Sequence, residues 1–416
     1  MVPLCVALGV ALVVVLAAAS MPDRPTPPSD PMEVRAAADG VTAFAADLYP
    51  HLASEEGNLV VSPYSISTAV AMTAAGAGGQ TLDQTRKVLH LPAADRIPAA
   101  VGGLMAAVAE PPRYARSMPD LTVANALWAQ QGFSWKPDYM ARVGAGFRAG
   151  LFDADFRADP ETARRAINGW VEKETKDRIK DLVPPGAVNV ETRMVLANAV
   201  YFKARWEEVF PKGGTKPADF TTAAGAKVKA PLMHRQGYYG LLEADTHRVL
   251  RLPYDGGAAA MYVILPRAAD GLPAVEKALT AESLAAWTTP RAGVVDVKVW
   301  LPRFKFTRPT ELADTLAKMG MSDAFDAGRA DFRGMTDDPQ GLVISRVIHK
   351  AFVEVDEEGT EAAAATAVVA RGAGAAPVRP PEPKEFRADH PFLFVIRHEA
   401  TGAVLFVGRV EDPTRG

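Results

Sequence analysis

The 416-residue chain has almost no cysteine: Cys5 is the single one. No internal disulfide can form, and no cysteine cluster can hold a metal. An excess of charge of one sign is missing too. Lys and Arg number 46 against 49 Asp and Glu, a net charge of -3, which leaves no electrostatic footprint for nucleic acid. Basic pairs such as Arg164-Arg165, with mixed charges over Glu172 to Asp181, read as a solvated helix face. Long apolar runs are scarce. The one at the start, Leu4 to Ala19, is short for a membrane span. It ends in Ala17-Ala18-Ala19-Ser20, small residues that suit signal-peptidase cleavage after Ser20. Residues 1–20 are therefore expected to be a signal peptide or, since no Lys or Arg precedes the run, a retained N-terminal anchor. Either reading places the rest outside the cytoplasm, secreted or periplasmic. A mature chain without Cys5 would be indifferent to the redox state of that compartment.

Catalytic motifs are also missing. No serine sits in a Gly-x-Ser-x-Gly elbow; Gly132-Phe133-Ser134-Trp135-Lys136 and Gly320-Met321-Ser322-Asp323-Ala324 both lack the second glycine. There is no His-Glu-x-x-His helix. The glycines at 76 and 79 lack the Lys and Ser/Thr of a phosphate loop. The 7 histidines are scattered without metal-ligand spacing. The chain is expected to be neither an enzyme nor a cofactor carrier.

What is present is globular: 48% hydrophobic and 23% charged residues, enough for a large core. Prolines crowd Met21 to Pro31, so 21–37 is expected to be a linker and 38–416 the folded domain. No fixed-period repeat appears. Helical patterns fill the first half. Asn58 or Ser62 caps an apolar helix toward Gly76, with Pro63 early in it. Thr81, with Gln84 three residues on, is expected to cap a second helix to Leu89. Glu161 to Leu182 repeats apolar residues at helical spacing until Pro184-Pro185. The second half reads as strands. Val249–Leu252 and Met261–Leu265 flank a turn at Asp255-Gly256-Gly257, and Phe392–Arg397 and Val404–Val410 flank Gly402. Val295–Trp300 alternates with period two, and Leu312–Met319 is a short helix. Helices first and strands later indicate an α+β fold.

One segment fits neither core nor ordinary loop. After the apolar run Val343–Val355 comes Asp356-Glu357-Glu358-Gly359-Thr360-Glu361-Ala362-Ala363-Ala364-Ala365-Thr366-Ala367-Val368-Val369-Ala370, then Arg371-Gly372-Ala373-Gly374 and a proline-rich stretch to Pro383. Alanines favour helix, but Thr366, Val368 and Val369 do not. Long structureless loops inside compact domains are usually functional. As a latent strand, its even positions (Thr360, Ala362, Ala364, Thr366, Val368, Ala370) are all small or apolar. Glu361 and Arg371 fall on the odd face. Such a strand could slide between two others without burying a charge.

Several motifs in one order resemble the serpin family over about Ala38 to Pro413. They are Asn58-Leu-Val-Val-Ser62-Pro63-Tyr-Ser65-Ile66, Ile167-Asn168-Gly-Trp170, Leu196-Ala-Asn198-Ala-Val-Tyr201-Phe202-Lys203-Ala-Arg-Trp206, Leu301-Pro302-Arg303-Phe304, His349-Lys350-Ala, and Phe386-Arg-Ala-Asp389-His390-Pro391-Phe392. The resemblance implies helices packed on three mostly antiparallel sheets with an exposed reactive-centre loop over about 357–383. It implies a suicide-substrate inhibitor of serine proteases that traps the acyl-enzyme when the cut loop inserts into the main sheet. A non-inhibitory carrier role, or inhibition of papain-like cysteine proteases, is the alternative. Glu357, Gly359, Thr360, Ala362, Ala363, Ala364 and Ala365 then form the hinge. Ser62, Ser65, Asn198 and His349 form a polar cluster under the opening strands, and Trp206 stands at the top of the sheet. Family spacing from Glu357 puts the reactive bond at Ala373-Gly374, for an elastase-like target. Arg371-Gly372, for a trypsin-like one, is the alternative, because the loop is longer than usual before Phe386. The implied partner is the target protease, with no nucleic acid, no membrane for the mature domain, no metal and no cofactor, and the protein acts as a monomer.

Overall fold

The computed structural model describes residues 30–110, 120–147, 150–289, 293–338, 341–359 and 382–415. The first half contains α1 (Pro31–Leu52), β1 (Leu59–Val61), α2 (Pro63–Ala74), α3 (Gly79–Val88), α4 (Ile97–Ala109), β2 (Asp120–Gln130), α5 (Pro137–Gly146), β3 (Gly150–Ala154), α6 (Pro160–Glu174) and β4 (Met194–Lys203). The second half contains β5 (Lys216–Thr221), β6 (Lys227–Glu243), β7 (His247–Pro253), β8 (Ala259–Pro266), α7 (Leu272–Lys277), α8 (Ala281–Trp287), β9 (Val294–Pro302), β10 (Phe304–Glu311), α9 (Ala313–Met319), β11 (Arg346–Val355), β12 (Lys384–Arg387), β13 (Phe392–His398) and β14 (Val404–Val410).

Local chemistry explains the helix starts and corrects three expectations. Asp30 caps α1 by accepting from the Met32 amide, with Pro31 at the first position. Part of the stretch read as linker, from Pro31 to Ala37, is therefore helix. Ser62 caps α2, whose twelve residues are all buried. Gly78, not Thr81, precedes α3; the buried Thr81 hydroxyl instead accepts from the Asp331 amide at 2.9 Å. Helix α6 stops at Glu174 rather than running to Leu182. Lys176 and Asp177 adopt positive φ, 52° and 60°, which ends the helix. Ile179 and Leu182 still bury their side chains, from irregular chain rather than helix.

The strands form two hydrogen-bonded networks. One has the order β1-β14-β13-β8-β7-β6-β9-β12, with β5 also on β6. Two of the three expected sheets are thus continuous: β6, 17 residues long, pairs with β7 at one end and with β5 and β9 at the other. The other network has the order β10-β11-β4-β2-β3. Its centre is a parallel seam, with β11 paired to β4 from Arg346↔Val195 to Phe352↔Tyr201. Strand alternation sends Val347, Ala351, Val353 and Val355 to the core with Leu196, Val200 and Phe202. Ile348 and Phe352 face the opposite side with Val195, Ala197, Ala199 and Tyr201. There α6 and the segment after it cover the seam through Ile167, Val171, Ile179 and Leu182. Two β11 side chains fasten that cover: Lys350 Nζ donates to the Lys180 carbonyl at 2.6 Å, and Arg346 Nε to the Ala187 carbonyl at 2.9 Å.

Candidate functional site

Two groups of residues bracket the seam. The lower one is polar and buried. Parity puts His349 of β11 and Asn198 of β4 on the core face, opposite one another in register. The Ser62 amide donates to His349 Nε2 at 3.3 Å, so that nitrogen is the acceptor. His349 Nδ1 then carries the proton and donates to Asn198 Oδ1. Asn198 Nδ2 in turn donates to the Ser65 carbonyl at 3.0 Å, to Ser65 Oγ at 2.5 Å and to Asn125 Oδ1. Asn125 donates to Thr68 Oγ1 at 3.0 Å, and Ser62 Oγ to the Leu405 carbonyl at 2.6 Å. The four residues expected there do meet: Ser62, Ser65, Asn198 and His349. They tie the start of α2 to β4, β11 and β14. Asn125 and Thr68 belong to the same network and escaped the sequence reading. The available signal was Asn125 itself, a polar side chain inside the apolar run Thr122 to Ala129.

His349 is fully buried, and desolvation pushes its pKa down to about 3. The same cause lowers His398, also buried, to about 4. Both are neutral in the fold and protonate near 6.5 once unfolded, so the unfolded chain binds more protons below that pH. Their contribution is complete above about pH 6.5 and falls as pH drops toward 3 to 4, by up to about 1.4 kcal/mol per pH unit for each group. The heat-denaturation midpoint is therefore expected to fall between pH 7 and 4.5. His349→Gln should flatten that fall. A slope identical in the two proteins would count against a buried neutral imidazole.

The upper group stands where the seam ends. Trp206, only 2% exposed, stacks on Tyr254 at 4.6 Å and 7°, and meets Phe210 edge-on. Its Nε1 donates to the Asp356 carbonyl at 3.0 Å. Asp356 to Gly359 form a tight reversal: the Asp356 amide donates to the Gly359 carbonyl, and the Glu358 and Gly359 amides donate to Asp356 Oδ1. Gly359 has φ of 130°, and a Cβ there would lie 2.2 Å from the Ala204 carbonyl oxygen, so only glycine fits. Glu357 is buried. Burial alone would raise its pKa, but hydrogen bonds from Arg303 and Thr215 prevail and hold it below the usual carboxylate range. Glu358 pairs with Lys212 at 2.7 Å. Thr215 and Lys212 were not singled out from the sequence, and Tyr254 and Arg303 only as members of strand motifs, without a role at this site. Arg303 and Lys212 look like ordinary surface cations until the fold brings Glu357 and Glu358 to them.

The reversal has a specific consequence. The parallel register, carried four residues beyond Phe352↔Tyr201, brings Asp356 opposite Arg205. Gly359 bridges to both, antiparallel to each. The chain leaving β11 has turned back and placed one residue between the two strands of the seam. The other expected site residues, Thr360, Ala362, Ala363, Ala364, Ala365, Arg371, Gly372, Ala373 and Gly374, lie outside the described residues. Among the described residues, no group of His, Cys, Asp and Glu could hold a metal ion, and no helix is long and apolar enough to cross a membrane.

A family model described as serpin (serine protease inhibitor) matches residues 39–413. Human leukocyte elastase inhibitor is 37% identical over 381 residues, which cover 89% of this chain and 98% of that protein. The crystal structure of Serpin48, a highly specific serpin of the insect Tenebrio molitor, superposes with a TM-score of 0.80 at 30% identity, over 92% of this chain and 98% of that one. Human thyroxine-binding globulin, solved in complex with thyroxine, superposes with a TM-score of 0.81 at 27% identity, over 92% of this chain and 100% of that one.

Proposed function

Because the chain belongs to the serpin family, we propose that it is a suicide-substrate inhibitor of serine proteases, with its bait in the segment that follows Gly359. The carrying observation is Gly359 itself, already lodged between Asp356 and Arg205. A strand continuing from it would run antiparallel to β11 and to β4. It would replace one parallel junction by two antiparallel ones, the pairing that is slightly more stable per residue. Strand addition of this kind and release of stored strain are a known serpin device.

The register follows from Gly359. Thr360 falls opposite Val355 and Ala204, and each later residue steps down both strands. Thr360, Ala362, Ala364, Thr366, Val368 and Ala370 then face the core, and Glu361 faces the other side. Thr366 reaches the level of His349 and Asn198, where its hydroxyl can bond with both groups as they part. The paired length of the seam, down to Arg346 and Val195, takes the loop as far as Val369. Arg371 and Ala373 come two and four residues later. A protease held as an acyl-enzyme at either would be carried past the far end of the sheet. A dozen new ladder bonds at roughly 0.5–1.5 kcal/mol each provide the driving force, so the uninserted fold is a kinetic trap.

Ala373-Gly374 is the preferred reactive bond. A small residue there suits an elastase-like enzyme, in keeping with the likeness to an elastase inhibitor. Export is supported by the apolar run Leu4 to Ala19 and its small-residue end. The test is to mix the protein with pancreatic elastase, trypsin, chymotrypsin and subtilisin in turn. Denaturing gels and the mass of the released C-terminal peptide provide the readout. A denaturant-resistant complex with elastase and a peptide starting at Gly374 is expected. Ala373→Arg should transfer complex formation to trypsin. A peptide starting at Gly372 would move the reactive bond to Arg371. Clean cleavage without complex would favour a carrier role, for which the likeness to thyroxine-binding globulin is the support.

A further inference from the structure

The chain returns from the bait segment to the body at β12. That strand is four residues long, stands last in its network and pairs with β9 in parallel. Four residues of parallel ladder are a weak hold. The corner that follows, Arg387 to His390, adds to it. The Ala388 amide donates to the Trp300 carbonyl at 2.9 Å, and the Thr221 amide of β5 to the Asp389 carbonyl at 2.8 Å. The Arg387 guanidinium lies over the Trp300 ring at 5.4 Å, and its Nε donates to Asp389 Oδ2 at 3.0 Å. The buried His390 ring joins the corner to β8. Its Nε2 is 2.9 Å from the Pro266 carbonyl oxygen, and its Nδ1 is 3.0 Å from Asp389 Oδ1.

Both partners of that ring are acceptors. A backbone carbonyl has no proton to give. Burial alone would raise the Asp389 pKa, but the bonds from His390 and Arg387 prevail and hold it below the usual carboxylate range. Asp389 is therefore a carboxylate, with no proton to give either. A neutral imidazole donates from one nitrogen only and would turn a bare lone pair toward one of the two oxygens. An imidazolium donates to both. His349 is the contrast: its nitrogens meet one donor and one acceptor, which a neutral ring satisfies. The elements packed against the corner add other charges. Arg267 follows Pro266 on β8 and donates from Nε to the Ala244 carbonyl at 2.8 Å. On β7, His247 lies opposite Pro266, and burial and the Arg267 charge favour its neutral form. Arg248, also on β7, donates to the Glu385 carbonyl at 2.6 Å. From β5 and β9 come the uncharged Thr221 and Trp300. Asp389 is the counter-charge in contact with the ring.

We propose that His390, as an imidazolium bridging Asp389 and the Pro266 carbonyl, is a proton-operated latch that fastens the return foot of the bait segment. As pH rises and the ring gives up its second proton, one charge-assisted bond becomes a lone-pair contact with an acceptor oxygen, and β12 loosens. The freedom of the bait's far end then follows the pH of the surroundings. The latch is independent of whether the chain is an inhibitor or a carrier.

The experiment labels the histidines with 15N and records long-range ring spectra from about pH 5.5 to 8.5, with His390→Phe assigning the signal. Hydrogen exchange of the stretch 384–391 is followed over the same range and corrected for its intrinsic pH dependence. Expected is a doubly protonated ring at the acid end that loses one proton toward the alkaline end. Protection of 384–391 should fall roughly tenfold in step. His390→Phe keeps an aromatic ring without nitrogens and should show the lower protection throughout. Asp389→Asn is the converse control. Its Nδ2 can donate to the bare Nδ1 while its Oδ1 still accepts from Arg387, so a neutral ring is fully bonded and protection should no longer change with pH. A singly protonated ring at the acid end would overturn the latch. So would protection that ignores the state of the ring, or that falls equally in wild type and Asp389→Asn. A ring still doubly protonated at the alkaline end would mean a fixed clasp and would also overturn the proposal.

Discussion

Thr360→Arg is expected to convert the protein from an inhibitor into a substrate. In the register set by Gly359, Thr360 is the first residue to enter the seam, between Val355 and Ala204. Both of those are core residues, 1% and 3% exposed. Among the described residues, the neighbouring carboxylates already have cations or donors of their own: Glu357 is bonded to Arg303 and Thr215, and Glu358 to Lys212. A guanidinium forced in would be buried and unpaired, at a cost of several kcal/mol. Insertion competes with hydrolysis of the acyl-enzyme, and each 1.36 kcal/mol added to the insertion barrier slows it about tenfold. Elastase should therefore cleave the variant at the wild-type rate. The inhibitor consumed per protease should rise at least about tenfold, and the denaturant-resistant complex should fade from the gel. Undiminished trapping would disprove insertion through this seam.

The sequence reached the hinge because its signal is local. A run of small residues with a charge-free parity is visible without any fold, and the parity derived from Gly359 is the same one. The polar cluster was reached through the family resemblance, whose motifs carry Ser62, Ser65, Asn198 and His349; as bare sequence, polar residues inside apolar strands also stand out. Asn125 stood out equally and was passed over, since its importance comes from facing Asn198 across β2 and β4. Pairings far apart in the chain were not legible at all. Glu357 finds Arg303 54 residues away, and nothing local to Arg303 announces that. The helix errors have the same origin. Ile179 and Leu182 keep helical spacing by coincidence, because an irregular segment laid over a sheet also buries every third or fourth residue. The positive φ of Lys176, Asp177 and Asp181 separates the two cases.

On the proposed mechanism, the seam is held at both ends by groups that would have to yield in sequence. At the top, Gly359 has already parted Asp356 from Arg205, and the aromatic stack of Trp206 on Tyr254 supports the parted strands. Further down, β11 and β4 remain joined, and the His349–Asn198 bond crosses between them on the core side. Lys350 and Arg346 bind the cover on the other side. A loop inserting from the top as proposed would bring small side chains first and the Thr366 hydroxyl at the level of His349 and Asn198, so that each step would replace what it breaks.

Asn198→Leu should show how much the lower closure contributes. Asn198 is the hub: it accepts from His349 and donates to Ser65 and Asn125. Leucine has nearly the same volume but no polar atoms. The His349 Nδ1 proton, the Asn125 side-chain oxygen and Ser65 Oγ would lose partners in a buried site. Each buried group left unmade costs about 1–3 kcal/mol, so a loss on the order of 3–5 kcal/mol is expected, read as a midpoint at least about 5 °C lower. The uninserted state should also lose inhibitory activity faster on standing at 37 °C, because the broken bonds are those that separate when the seam opens. The double variant Asn198→Leu/His349→Leu should recover part of the loss. Removing both partners of a buried bond leaves fewer unpaired groups than removing one. A midpoint within about 1 °C of wild type for the single variant, or a double variant whose loss is the sum of the two singles, would mean that the cluster fills space but does not hold the strands together.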